Sequence, residues 1–216
     1  MSTVSPTASI SWVYALITEQ QHEDEDLKPS DTPGYKVNQN LKSVDEYAKM
    51  DANDESLKRW KESLGIAEGA AAPAEGPQLT VLTLELESPT LNRKIVIDVQ
   101  NPTQLAEAKK NPITIKEGVE YNALITFKVN HGITSGVRYI QVVKRAGIKV
   151  DKLEQMVGSY GPHPEGKPYS KAFPTEESPS GMLARSGSYG VRSRVIDDDG
   201  HIYADFEWSF KLAKEW

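Results

Sequence analysis

One stretch constrains the fold more than any other: EGVEYNALITFKVNHGITSGVRYIQVVKRAGIKVDKLEQMVGSYG, residues 117–161. In it Val119, Tyr121, Ala123, Ile125, Phe127 and Val129 alternate with Glu120, Asn122, Thr126 and Lys128. A helix of period 3.6 would scatter these apolar side chains around its circumference, whereas a strand of period two gathers them on one face. A long, half-buried strand is therefore predicted. His131-Gly132 and Ser135-Gly136 bracket a bend, and Val137 to Arg145 forms the next strand. There Ile140 and Val142 point one way and Val137, Tyr139 and Val143 the other, the pattern of a strand buried on both faces. Ala146-Gly147 turns the chain into a third strand, Ile148 to Val157.

The same alternation continues on either side. Leu82, Leu84 and Leu86 share one face of an earlier strand, and Ile95, Ile97 and Val99 a face of the next. Asn101-Pro102 and Asn111-Pro112 are turn signals around a short polar segment. In the last strand Ile202, Ala204, Phe206, Trp208, Phe210 and Leu212 point inward, and the turn Asp197 to Gly200 joins it to a strand over Tyr189 to Ile196. Residues 158–182 read as one long loop rich in Pro and Gly, a length that tends to serve function. Seven or more strands with almost no helix predict an all-β fold for residues 77–216: an immunoglobulin-like antiparallel β-sandwich. A jelly roll or a small barrel is the alternative.

Residues 1–76 read as a flexible, partly helical N-terminal arm. Residues 19–40 hold the acidic run His22 to Asp26 and the breakers Pro29, Pro33 and Gly34, a composition expected to stay disordered. Two short helices follow. Leu41 to Met50 carries a capping-box spacing at Ser43 and Glu46. Asn53 or Asp54 caps the second, which aligns Leu57, Trp60 and Leu64 on one face and ends at Gly65. Both are short for stability in isolation, and the flexible tethers on either side, including AEGAAAPAEGP, favour ordering on a partner. The longest apolar run, Ile10 to Ile17, is too short to span a bilayer and has no Lys or Arg before it, so no stable membrane insertion is expected.

The chemistry is notable for what is missing. A net charge of -6 argues against nucleic acid and leaves room for a basic peptide partner. With no Cys there is no thiolate nucleophile and no Cys-based zinc site. The four His are scattered, no phosphate-binding glycine motif occurs, and SGSYG at Ser186 to Gly190 is not a nucleophile elbow. The adjacent acids Glu176 and Glu177 suit a solvated face better than a glycosidase pair. No catalysis, metal or cofactor is expected; an enzyme or sugar-binding module would need acids and exposed aromatics across a cleft. What remains is apolar excess. It can pack on itself as a filled core, or the two sheets can gape and take a hydrocarbon between them, worth about 0.8 kcal/mol per buried CH₂.

Particular motifs narrow this. KEGVEY (116–121), FKVN (127–130), SGVRYIQ (135–141), KVDK (149–152), MVGSYGP (156–162), GMLAR (181–185) and GSY (187–189), with the Trp-bearing last strand, closely resemble the Rho GDP-dissociation inhibitor family. So does DESLKRWKESL (54–64) in the arm, and the resemblance extends from about Tyr35 to Trp216. It implies a cytosolic, non-enzymatic protein that binds prenylated Rho-family small GTPases one to one as a monomer. The GDP form would be preferred, GDP release slowed and the GTPase lifted from membranes. A general carrier of prenylated or acylated proteins on a similar sandwich is the alternative. By resemblance Leu84, Ile113, Tyr121, Ile133, Leu183, Val191, Phe206 and Trp208 line a geranylgeranyl pocket. Asp54, Trp60, Asp198 and Asp199 meet the GTPase. Asp151, Glu176 and Glu177 meet the basic tail before its prenyl group. The chain departs from the family pattern at Ile113, where Phe is common, at Phe206 and Trp60, where Trp and Tyr are common, and at the extra residue Ser186.

Overall fold

The computed structural model describes residues 24–30, 54–56, 59 and 76–216. Residues 76–216 form two separate five-stranded sheets packed face to face. The first sheet contains β1 (Leu79–Glu87), β2 (Ile95–Asp98), β4 (Glu120–Val129), β7 (Tyr169–Ala172) and β8 (Glu176–Glu177). Its order is β2-β1-β4-β7, with β8 also pairing to β4. The second contains β3 (Ile113–Lys116), β5 (Thr134–Arg145), β6 (Ile148–Tyr160), β9 (Ser188–Ile196) and β10 (Ile202–Ala213). Its order is β3-β10-β9-β5-β6. The expected all-β sandwich is present; every pairing is antiparallel except that of β3 with β10.

The inner faces follow the alternation, broken at register slips, two of which turn an apolar side chain out of the core. Leu79 and Val81 are buried, and so are Leu84 and Leu86. The register on β4 slips between Val81 and Thr83, so Leu82 is the extra residue of a bulge and only half-buried, not a partner of Leu84 and Leu86. A second slip between Ile202 and Ala204 turns Ile202 out, leaving it 52% exposed, while Phe206, Trp208 and Leu212 enter the core. At the centre, Ser193 is fully buried and bonds two large side chains from opposite directions. It accepts from the Trp208 indole N–H (3.1 Å) and shares a hydrogen bond with the Tyr139 hydroxyl (2.9 Å). The Tyr139 ring stacks on Phe173, centroids 4.9 Å apart.

Three features depart from the sequence reading. The polar segment after Asn101 is helix α1 (Pro102–Lys110), capped by the Asn101 side chain, which accepts from the Thr103 and Gln104 amides, with Pro at its first turn. The 158–182 loop is pinned midway, because β7 and β8 both add to β4. Part of the acidic segment expected to be disordered is docked. Leu27 is 1% exposed and seals a small cluster with Ile140, Val142 and Ile196 on the outer face of the second sheet. That explains why β5 is apolar on both sides: its inner face meets the core and its outer face meets residue 27. The helix expected over 41–50 lies outside the described residues, as does Trp60.

Candidate functional site

A cavity of about 560 Å³ opens between the sheets at the end where β5 turns into β6. Its walls are the places where the two inner faces part. Leu86, Tyr121 and Ala123 come from the first sheet; Ile115, Val143, Leu153, Tyr189, Trp208, Phe210 and Leu212 come from the second. Phe173 closes the floor. Tyr189 and Phe210 stack almost parallel, centroids 4.8 Å apart and 7° between planes, and present a flat aromatic side to the space. Arg145 lies over the Tyr189 ring, its guanidinium 5.5 Å from the ring centre.

The mouth is built by the segment between β7 and β9. It holds a single helical turn, α2 (Met182–Arg185), which buries none of its residues. Ser178 fastens one side: it is 3% exposed, donates to the Lys116 carbonyl (2.6 Å) and accepts from the Val119 amide (3.1 Å). Glu117 fastens the other, pairing with Arg185 and accepting from the Gly181 amide (2.9 Å). The Arg185 guanidinium, then the Gly181 N–H, hold the Glu117 carboxyl below the usual carboxylate range. Gly181 has φ 106, the left-handed region where a side chain would be strained. Between these fastenings Met182 and Leu183 are each 79% exposed.

Acidic groups edge the apolar opening. Asp151 and Glu176 both border the cavity, and Glu177 stands beside Glu176 on β8, opposite Glu120. The Tyr121 hydroxyl donates to Glu176 at 2.8 Å. Burial first, and then the Glu176 charge, push the Tyr121 phenol far above its ordinary value, so it stays a neutral donor. An apolar chamber with an acidic lip suits a ligand that is a hydrocarbon at one end and basic at the other.

The residues assigned by resemblance are distributed unevenly. Tyr121, Leu183 and Trp208 meet in the cavity. Leu84, Val191 and Phe206 lie in the close-packed core. Ile113 starts β3 and packs half-buried on that core. Ile133 sits on the turn after β4, whereas Tyr121 stands at that strand's other end, about 25 Å away at the rise of an extended strand. The cavity gains Phe210, Tyr189, Val143 and Leu153, which the resemblance did not supply. Phe210 and Leu212 were visible as the continuation of the Trp208 face; Phe173, from an irregular segment, had no such signal.

At the opposite end of β5, Asp199 is exposed, but the Asp198 carboxylate is only 9% exposed and accepts from Arg138 at 3.1 Å. Asp197, Asp199 and His201 bring their ligand atoms within 4.8 Å of one another. The Asp197 carboxylate is already engaged by the Asp199 and His201 amides and the Tyr203 hydroxyl, so it orders the β9–β10 turn. In the arm, Asp54 accepts from the Ser56 amide (2.8 Å), the expected N-cap, and is exposed. Among the described residues, no helix is long and apolar enough to cross a membrane.

Comparison with known proteins identifies the family. The family model for the RHO protein GDP dissociation inhibitor matches residues 18–215. The Rho GDP-dissociation inhibitor of Schizosaccharomyces pombe is 41% identical over 176 residues, 81% of this chain and 84% of that one. That of Saccharomyces cerevisiae is 40% identical over 185 residues, 84% and 91% of the two chains. Rho GDP-dissociation inhibitor 1 of Bos taurus is 38% identical over 216 residues, 100% of this chain and 99% of that one. The chain belongs to the Rho GDP-dissociation inhibitor family.

Proposed function

We propose that this Rho GDP-dissociation inhibitor takes the geranylgeranyl group of a Rho-family GTPase into the cavity between its sheets. The observation that carries this reading is the cavity itself: about 560 Å³, lined by aliphatic and aromatic side chains and edged by Asp151 and Glu176. Its size falls within the roughly 300–1,000 Å³ of small-ligand pockets. Hydrocarbon burial there supplies affinity without any catalytic group, and the acidic lip meets the basic residues that precede the lipid. By competing with anionic lipid for that tail, the protein extracts the GTPase from the membrane and keeps it in the cytosol as a 1:1 complex. Residues 1–76 act as a regulatory arm in which Asp54 and Trp60 meet the GTPase switch segments, with Asp199 and Asp198 of the sandwich completing the contact. Restraining those segments slows GDP escape and favours the GDP form.

Calorimetry with a geranylgeranylated basic peptide and with the full prenylated GTPase separates the parts. Asp54→Ala weakens the GTPase and leaves the peptide nearly unchanged; equal loss of both would overturn the division of labour. A wild-type chain that binds neither would overturn the reading. Equal binding of unrelated acylated peptides across a panel would instead favour a general carrier of lipidated proteins.

A further inference from the structure

The outer face of the second sheet carries a band of cations around an apolar floor, in which Arg192 and Arg194 also pair with Asp205 of β10 and Arg138 with Glu154 of β6. Arg192 and Arg194 stand on β9, Lys149 and Lys152 on β6, and Arg138 on β5. Residues 24–30 lie across it. Asp24 accepts from Arg192 (3.1 Å) and Arg194 (2.8 Å), Asp26 pairs with Lys149, and Leu27 fills the floor between Ile140, Val142 and Ile196. Lys152 donates to the Lys28 carbonyl (3.2 Å). Ser30 ends the run: its amide and hydroxyl both donate to Glu154, and its carbonyl accepts from Arg138 (3.1 Å). Acid on base, with one leucine in one apolar recess, makes a complementary seat for this segment.

The direction of the segment matters more than its grip. It enters over β9 and progresses along β6 from Lys149 to Glu154, away from the cavity mouth. It ends on Arg138, whose other nitrogen holds Asp198 (3.1 Å). Ser30 therefore lies beside the β9–β10 turn. Gly136 preserves the junction, because a Cβ there would fall 1.8 Å from the Asp198 carboxylate.

We propose that residues 24–30 are a docking strap that sets the arm's point of departure at the Asp198–Asp199 turn, so that the arm's later residues and this turn meet one face of the GTPase. The inference rests on the GTPase-binding reading above and adds the strap and its seat as a determinant of that contact. The strap acts by confinement: it holds the arm near the turn and raises the local concentration of Asp54 and its neighbours at the partner.

Amide exchange on the free, full-length protein reads the strap without any partner. Leu27→Asp is expected to speed exchange over 24–30 at least ~10-fold while the sandwich stays protected. Asp26→Lys does the same more weakly, and adding Lys149→Asp to Asp26→Lys restores protection by swapping the charges. The same variants that free the strap weaken a GDP-loaded, prenylated Rho GTPase about 10-fold and leave the geranylgeranylated peptide unchanged. Exchange over 24–30 that is equally fast in the wild type and Leu27→Asp overturns the strap. A freed strap with unaltered GTPase affinity overturns the steering. A protected wild-type strap in a chain that binds no GTPase overturns the functional reading and the steering with it.

Discussion

Leu183→Ala separates binding from folding. In the free chain Leu183 is 79% exposed on α2, which buries none of its residues. Truncation removes almost nothing from the folded state, and unfolding free energy should stay within about 0.5 kcal/mol of wild type. Once a hydrocarbon occupies the cavity that Leu183 borders, the side chain is covered on its inner side. Losing three carbons from that contact costs about 2 kcal/mol, or ~30-fold in affinity. Leu84→Ala is the mirror image: at 1% exposure in the filled core it costs about 2–5 kcal/mol of folding and leaves the affinity of the folded fraction nearly unchanged. Calorimetry with a geranylgeranylated basic peptide, beside urea unfolding of the same preparations, measures both quantities. The reasoning fails if Leu183→Ala shifts the unfolding midpoint as Leu84→Ala does. It fails equally if peptide affinity changes less than about 3-fold.

Two further outcomes follow from the geometry. Gly136→Ala forces a left-handed residue, φ 62, and a Cβ onto the Asp198 carboxylate, so urea unfolding should show a loss of about 2–4 kcal/mol. Burial raises the Glu154 carboxyl, but hydrogen bonds from Ser30, then Arg138, outweigh it and leave the folded value lowered. Protons therefore favour the undocked state: docking of 24–30 is full above the ordinary carboxylate range and is lost as pH falls through the lower, docked value. Amide exchange over 24–30 should accelerate there in wild type; Glu154→Gln should remove part of this pH dependence, the remainder coming from Asp24, whose carboxyl the Arg194 hydrogen bond also holds below its usual range in the docked state.

The long strands were legible because their sides face different media. β10 packs one face on the core, so its alternation survives in the sequence, and Trp208, Phe210 and Leu212 all keep their places. β5 looked central and is central, although part of its outer cover is a residue more than a hundred positions earlier. The bulges were not legible. Nothing in LTVLTLELE says that Leu82 is skipped, since Leu82, Leu84 and Leu86 form an equally good stripe; the pairing with β4 decides. β3, β7 and β8, at four, four and two residues, are too short for a periodic signal, and their partners on β10 and β4 create them. The strap escaped notice because composition averages over a window, whereas docking needs one leucine and a few charges in the right order. For the cavity, alternation found the inward faces but could not say where the sheets part. Leu84 and Trp208 read alike in sequence, yet one is packed solid and the other borders open space.

The fastenings of the mouth carry a mechanical consequence. Ser178 is bonded to the backbone at Lys116 and Val119, and Arg185 is held by Glu117, so both hinges of the segment hang from one post, residues 116–119. Between them Pro179 to Ala184 is held by two bonds, the Gly181 amide to Glu117 and the Tyr189 hydroxyl to the Ala184 carbonyl (2.9 Å). Admitting a bulky guest therefore does not require prying the two sheets apart; the door can open by releasing Glu117 from Arg185 and the Gly181 amide, and the Ala184 carbonyl from the Tyr189 hydroxyl, while the frame stands still.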